Sequence, residues 1–484
     1  MRKNIIILSL GLFGLASCKK YLGQTPDNRA SLTTPTQVSQ LLGTAYPQGS
    51  YMAFCESMSD NMDDKSIGTI WNDNRDPFFF DDVRDDQSDS PEFYWNACYT
   101  AIASANLALQ TCTSAADTNA YSAQKGEALV ARAYAHFMLV TFFSKVYDPT
   151  TAATDPGIPY ETTPETKVFG NTYDRKTVQY VYDMVEKDLL QGLPLIQDAN
   201  YTVPHYHFTK AAANAFAARF YLFKQDYAKV ITYANNALPA SNFTDFLRPW
   251  NTVYKGLTYK DLFARYERAS ENANLLLAEA PSLWGRYFYT TRYGMGAHTK
   301  NVVINNSPVT GGTWAFYYQL YSTSDQNYLI PKINEFFVAN SINADIGTPY
   351  VMCPLFTTEE VLFNRAEANV YLNNTNAAIS DLNAYASTRI VDYDPSANAI
   401  TATKLKNYYG TSNLQTNLIN AILDFKRAEY IQEGMRYLDI LRYNIPVTHV
   451  TSDGQTMTLT GTDLRRTFVI PEAAVTAGLA QNPR

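Results

Sequence analysis

The stretch Phe208-Thr-Lys-Ala-Ala-Ala-Asn-Ala-Phe-Ala-Ala-Arg-Phe-Tyr-Leu-Phe-Lys-Gln-Asp-Tyr-Ala-Lys-Val-Ile-Thr-Tyr-Ala-Asn-Asn-Ala-Leu238 decides how the rest of the chain is read. Between 208 and 224, Ala211, Ala215, Ala218 and Leu222 recur at steps of 4-3-4, which places them on one face of an α-helix. Gln225-Asp226 interrupts the pattern, and a second helix over 227–238 carries Tyr227, Val230, Ala234 and Ala237. The small residues at the seam let the two helices approach closely. A related unit follows much later. A helix over 358–373 carries Leu362, Ala366 and Val370, Asn373-Asn374 turns the chain, and a helix over 376–390 carries Ile379, Leu382 and Ala386. Antiparallel helix pairs near a ~34-residue period read as tetratricopeptide-like repeats. One such pair cannot bury its own apolar face, so the pairs are expected to stack on each other.

Working outward, helical periodicity also marks 94–112 (Cys98, Ile102, Ala105, Leu109, Cys112), 122–145 (Ala128, Ala131, Ala135, Met138, Phe142) and 176–191 (Val178, Val181, Val185, Leu189). A prolyl stretch from Pro149 to Pro164 separates the second from the third. Residues 60–92 are acidic and aromatic, with Trp71 and Phe78-Phe79-Phe80, and read as a long loop. Residues 239–357 lose the helical period and are dense in Gly, Asn, Thr and aromatics, which reads as a loop-rich insertion of functional kind. A long helix is expected over 413–441, with Glu433–Arg436 and Asp439–Arg442 spaced i,i+3 as an intrahelical ion-pair ladder that includes Glu429. Thr456–Leu459 fits a short strand. The expected fold is therefore mostly α, a scaffold of tetratricopeptide-like helix pairs with little β. Residues 37–238 form an N-terminal half, and 239–484 a C-terminal half with the 239–357 insertion and helices over 358–441.

The N-terminus predicts export. Arg2 and Lys3 precede an apolar run from Ile5 to Leu15, then Ala16, Ser17 and Cys18. The run is too short for a bilayer span, which takes about 20 residues, and has the layout of a signal peptide. Leu15-Ala-Ser-Cys18 resembles a bacterial lipobox, which implies removal of 1–17 and acylation of Cys18 by palmitate-type chains. An ordinary secretory signal with a chance cysteine is the plainer alternative. Residues 18–36 read as a tether. The net charge of −7, with no basic cluster, argues against nucleic acid. The mean hydropathy is −0.26, and no later run is long enough to span a membrane. Cys55, Cys98, Cys112 and Cys353 are irregularly spaced, which argues against a zinc site or a disulfide framework.

The ordered motifs along the chain are similar to those of the SusD/RagB family of surface nutrient-binding lipoproteins of Bacteroidetes. They run from Cys18 with Tyr21-Leu22, through Ser59-Asp60-Asn61, Trp95…Tyr99…Ile102…Asn106 and Glu127-Ala128…Arg132-Ala133, to Asp188-Leu189…Leu193-Pro194 and Thr209-Lys210-Ala-Ala212. Glu360-Val-Leu-Phe-Asn-Arg365-Ala-Glu367-Ala368, Lys426-Arg427…Glu429…Glu433-Gly434…Arg436…Asp439…Arg442, Ile470-Pro471 and Gln481-Asn-Pro483 complete the series. Two departures are a longer loop between Tyr147 and Gly157-Ile158-Pro159, and Lys19-Lys20 after the cysteine where acidic residues often mark surface export. The resemblance implies a SusD-like fold whose helical side packs on a SusC-type TonB-dependent transporter in the outer membrane, and a lid that captures a glycan or peptide for that barrel.

No catalytic motif is present: there is neither HExxH nor GxSxG, and only five His. A binding role without catalysis, metal or cofactor is expected. His205-Tyr206-His207 could ligate a metal, and the carboxylates of 60–92, among them Asp85-Asp86-Gln87-Ser88-Asp89, could hold Ca²⁺; unspecialised loop histidines and a solvated acidic surface are the alternatives. Sugar rings stack on aromatic faces while their hydroxyls need polar partners. Trp71, Arg75, Trp284, Tyr287 and Trp314 are the candidate ligand contacts, being aromatic or polar residues of expected loops, with core packing as the alternative for each. The aromatic excess, 36 Tyr beside 25 Phe and 5 Trp, favours oligosaccharide over oligopeptide cargo. A lipid-anchored helical scaffold with no small ligand is the remaining alternative.

Overall fold

A computed structural model describes residues 32–83, 85–165, 173–238, 243–322, 326–342 and 344–484. Cys18, the expected signal segment and the tether up to residue 31 lie outside the described residues. The N-terminal helices are α1 (Pro35–Leu42), α2 (Met52–Ser57), α3 (Asn72–Phe78), α4 (Pro91–Ser114), α5 (Ser122–Phe143), α6 (Val178–Gly192), α7 (Lys210–Phe223) and α8 (Tyr227–Ala237). The later ones include α9 (Tyr259–Tyr266), α10 (Trp284–Tyr287), α11 (Thr358–Tyr371), α12 (Thr375–Arg389), α13 (Ala402–Tyr409), α14 (Leu414–Glu429), α15 (Arg436–Tyr443) and α16 (Glu472–Thr476).

Three of the four paired helices begin where a short polar side chain accepts an unpaired N–H of the first turn. Thr209 Oγ1 accepts the Ala212 N–H at 3.1 Å to open α7, Asp226 accepts from Lys229 at 3.3 Å to open α8, and Thr357 accepts from Glu360 at 3.4 Å to open α11. Both hairpin turns bend through a left-handed residue, Gln225 (φ 64°) and Asn373 (φ 63°). The two pairs stack as expected: α11 packs against both α7 and α8 across the intervening insertion. Upstream, α5 is buried along nearly its whole length between α4 and α6. Its alanines Ala128, Ala131 and Ala135 are within 1% of full burial.

Buried ion pairs lock the stack. Arg219 of α7 grips Glu360 of α11 with two bonds of 2.5 and 2.6 Å. Nearby, Arg248, Glu359, Arg389 and Glu429 form a fully buried chain. Arg389 meets Glu429 at 2.7 and 2.9 Å and Glu359 at 2.8 Å, and Arg248 meets Glu359 at 2.8 Å. The Tyr385 hydroxyl donates to Glu429 at 2.8 Å, and Asn274 accepts from Arg248 at 2.6 Å. Such a chain holds because nearly every charged atom has a partner; removing one member leaves a naked charge in the core.

Two expectations change here. The helix expected over 413–441 is two helices, α14 and α15, broken at 430–435. Gln432 (φ 72°) and Gly434 (φ 76°) turn left-handed, and their N–H groups donate to Glu56 at 2.7 and 2.9 Å. A Cβ on Gly434 would lie 2.9 Å from the Met52 backbone, so the turn needs glycine. Burial raises the Glu56 carboxyl to about 7, against the pull of those two N–H donors. The intrahelical ladder is replaced by ties to distant elements. Glu429 pairs with Arg389, Glu433 with Lys332 at 2.9 Å, Arg436 with Asp60 at 2.8 Å, Arg442 with Glu367 and Asp439 with Lys426. Only Arg442–Asp439, at 3.9 Å, keeps the i,i+3 relation.

Strands are short and few. The largest sheet has three antiparallel strands in the order β2 (Asn274–Pro281), β7 (Gly347–Thr357), β6 (Phe336–Ala339). Two-stranded pairs join β1 (Asp63–Asp64) to β3 (Tyr293–Gly294), β4 (Tyr321–Ser322) to β5 (Tyr328–Leu329), and β8 (Val447–Val450) to β9 (Thr456–Leu459). The insertion is thus partly ordered by a sheet that delivers β7 directly into α11. Cys55, Cys98, Cys112 and Cys353 are buried free thiols.

Candidate functional site

The 60–92 stretch is folded rather than an extended loop, and its order begins with its carboxylates. Asp60 takes two bonds of 2.8 and 2.9 Å from Arg436. Asp63 accepts the Gly296 and Thr299 N–H groups at 3.0 and 2.9 Å. Asp64 takes 2.7 and 2.8 Å bonds from Arg292. The expected solvated acidic surface is, over these residues, a set of inward anchors. They lay 63–75 against the 287–294 segment of the insertion, where β1 pairs with β3. The Arg292 N–H donates to Thr69 O at 2.8 Å, and Asn74 Nδ2 donates to Tyr293 O at 2.7 Å across 219 positions of sequence.

This stitching brings three of the five candidate residues together. Trp71, just before α3, lies 5.9 Å from the Tyr287 ring and 6.4 Å from the Trp284 ring. Trp71 and Tyr287 are half-buried, and Trp284 beneath them is fully buried. The Trp284 Nε1–H donates to Gln432 O at 2.9 Å, which ties the cluster to the α14–α15 break. One turn along α3, Arg75 keeps 43% of its side chain exposed, pairs with Asp76 at 2.7 Å and lies 5.1 Å from the Phe79 ring centroid. Arg286 is a further rim residue that the sequence reading missed. It lies 6.0 Å from the Tyr287 centroid and is held by Glu335 at 2.6 and 2.8 Å. The only signal for it was its place beside Tyr287. Ile67 and Ile70 add exposed apolar surface, at 47% and 55%.

Trp284 and Trp314 need correcting as direct ligand contacts. Trp284 is 0% exposed and Trp314 3%. Trp314 packs on Phe316, Tyr385 and Phe425 at 5.7, 6.4 and 5.2 Å, away from the Trp71 cluster's rings. A large indole buries well once its N–H is satisfied or enclosed, so an aromatic in an irregular segment is not thereby at the surface.

Two buried carboxyls support the cluster. Asp89 accepts from Ser282 Oγ at 2.6 Å and the Leu283 N–H at 2.7 Å, which fixes the start of α10. Burial pushes its carboxyl up to about 7. Asp73, on α3, is buried; the Trp71 side chain approaches its carboxyl, but neither oxygen has a partner at full hydrogen-bond geometry. Burial foremost, then the neighbouring Asp85 and Asp89, push it up to about 9. It is therefore a neutral acid at pH 7. Among the described residues no group of three or more His, Cys, Asp or Glu is placed to hold a metal ion. His205 and Tyr206 lie in a 3₁₀ turn, Pro204–Tyr206, and His207 Nδ1 meets Glu127 at 2.7 Å.

What this surface offers is two aromatic faces over an indole floor, with the Arg286 guanidinium at the rim. Exposed ring faces beside a guanidinium can stack a flat ligand face and donate hydrogen bonds to its polar groups.

Comparison with known proteins adds the following. A family profile described as SusD-like, starch-binding associating with outer membrane, matches residues 20–222. A second, described as SusD family (SusD/RagB), matches residues 253–468. No curated protein matches the chain. Among solved structures, a SusD superfamily protein of Bacteroides thetaiotaomicron is 18% identical with a TM-score of 0.69, over 93% of this chain and 100% of that one. A SusD superfamily protein of Bacteroides fragilis is 18% identical with a TM-score of 0.68, over 92% and 98%. A SusD-like carbohydrate binding protein of Bacteroides vulgatus is 16% identical with a TM-score of 0.60, over 92% and 96%. At these identities the structural likeness establishes the mostly α fold, and the two profiles between them span most of the chain.

Proposed function

Because the chain belongs to the SusD/RagB family, we propose that it captures an extracellular oligosaccharide on the Trp71–Tyr287 surface. It then passes the sugar to a SusC-type TonB-dependent transporter of the outer membrane. The observation that carries the reading is the ring pair itself. Trp71 and Tyr287 come from segments far apart in sequence, yet they stand 5.9 Å apart over the buried Trp284. Stacking on two rings supplies affinity without demanding one sugar, and Arg75 and Arg286 supply donors for hydroxyls. The printed description of one structural relative, a carbohydrate binding protein, supports the same class of cargo.

In this reading Cys18 carries the lipid that holds the chain at the membrane. Among the described residues no helix is long and apolar enough to cross a membrane. Several acyl chains at about 0.8 kcal/mol per CH₂ supply that attachment. The role is binding, without catalysis or a cofactor.

Isothermal calorimetry of the purified protein against a panel of oligosaccharides and mixed oligopeptides tests this. Saturable heat with an oligosaccharide, weakened on the order of tenfold by Trp71→Ala and by Tyr287→Ala, is the expected result, a loss of about 1.4 kcal/mol. Peptide binding at the same residues would change the cargo class. Oligosaccharide binding that both variants leave intact would remove this surface from the mechanism.

A further inference from the structure

A cavity of ≈ 540 Å³ lies away from the aromatic cluster and shares no lining residue with it. Its floor is the outer face of α4, with Trp95, Tyr99 and Ile102; the 159–165 loop forms one wall, and Ala477 and Leu479, which follow α16, form the other. The lining is mostly apolar. Its backbone is already satisfied from within: the Tyr99 hydroxyl donates to Pro159 O at 2.9 Å, and Asn106 Nδ2 donates to Glu161 O at 3.1 Å. The groove is therefore a formed shape rather than a gap between loose segments, and its size is that of ligand pockets generally, about 300–1,000 Å³.

Its rim is acidic. Glu161 and Glu165 stand on the loop wall; outside the lining, at the start of α4, Glu92 lies beside Asp86 and Glu472. Among the described residues none of the five has a cationic partner, though Glu165 accepts from the Tyr173 hydroxyl; other carboxylates of this half do have one. Asp188 is held by Arg132 at 2.7 Å just inside the groove, and Asp155 by Lys145 at 2.7 Å. Burial and mutual repulsion raise Glu161, beside Glu165, and Glu92, beside Asp86 and Glu472, above the ordinary carboxylate range. Arg175 reaches the neighbourhood, but it is spent on the Gly157, Ala480 and Phe143 carbonyls and on Asn482.

We propose that this groove docks a segment of a partner protein that presents an apolar side chain flanked by lysine or arginine. The apolar side chain fills the space over Trp95 and Ile102, and the flanking cations neutralise the rim carboxylates. The site is independent of glycan capture at Trp71 and Tyr287.

Fluorescence anisotropy with the full chain tests it, using three labelled probes: an alternating Lys–Leu peptide, its Glu–Leu counterpart and its Lys–Ser counterpart. The Lys–Leu probe is expected to bind saturably, and the other two at least about tenfold more weakly, because each lacks one half of the recognition. Ala103 is an exposed position on the groove face of α4. Ala103→Trp fills the groove and is expected to weaken the Lys–Leu probe about tenfold, with the far-UV circular dichroism unchanged. Glu161→Gln with Glu165→Gln is expected to weaken it about fivefold and to flatten its salt dependence. Saturable binding that is equal for the Glu–Leu probe, or that neither variant changes, overturns the proposal, as does no binding of the Lys–Leu probe.

Discussion

The paired helices α7–α8 and the Trp71 surface are held together in opposite ways. Within α7–α8 the partners are neighbours in sequence, the turn is a few residues, and each helix starts on its own cap. At the Trp71 surface every tie is long-range: Asp60 to Arg436, Asp64 to Arg292, Asn74 to Tyr293, Trp284 to Gln432. A locally built scaffold fails by losing its seams, whereas a surface assembled from distant segments fails when one anchor is cut. Substitutions that separate these two modes of failure test the difference.

The largest effect is expected at the seam between the helix pairs. Arg389→Leu strands Glu429 in a fully buried site, leaves Glu359 with Arg248 alone, and should cost about 3–5 kcal/mol of stability in denaturant unfolding. If the loss is below about 1 kcal/mol, the buried chain is not what holds α11, α12 and α14 together. Next comes the α14–α15 break. Gly434→Ala places a methyl group against the Met52 backbone at a left-handed residue, with an expected cost of about 2 kcal/mol. Because Gln432 anchors Trp284 through its carbonyl, the same variant should also weaken oligosaccharide binding. Trp71→Ala is expected to do the reverse, weakening binding on the order of tenfold while costing only about 1 kcal/mol of stability, as suits a half-buried side chain.

The last test concerns pH. The folded carboxyl of Asp73, at about 9, lies above its unfolded value of about 3.9. Its contribution to stability is thus complete below about pH 4 and is lost as pH rises towards 9. Asp73→Asn keeps a neutral side chain throughout. Its melting temperature should match the parent near pH 4 and exceed it by a margin that widens steadily as pH rises towards 9. An unchanged difference across that range would mean that Asp73 is ionised and partnered.

The same contrast explains what was legible in the sequence. The helices over 94–112, 122–145, 176–191 and the two pairs could be read because burial repeats every three to four residues, and the turns at Gln225 and Asn373 interrupt that repeat. The break at 430–435 could not, since Gln432 turns left-handed to meet Glu56, a residue 376 positions away; Gly434 was the one local signal. Trp71 and Tyr287 read as loop residues, and their meeting depends on β1–β3 pairing that no local pattern encodes. Trp284 and Trp314 share the same sequence surroundings and sit in the core, because irregular backbone says nothing about which side of it faces water.

Arg219 and Glu360 bind each other across 141 positions of chain. A polypeptide is made N-terminus first. When α7 emerges, its guanidinium has no carboxylate to meet, and the whole insertion must follow before one arrives. The first helix pair therefore waits as an open, charged seam, and the scaffold closes late, after the segments that carry Trp284 and Tyr287 are already available to be folded against it.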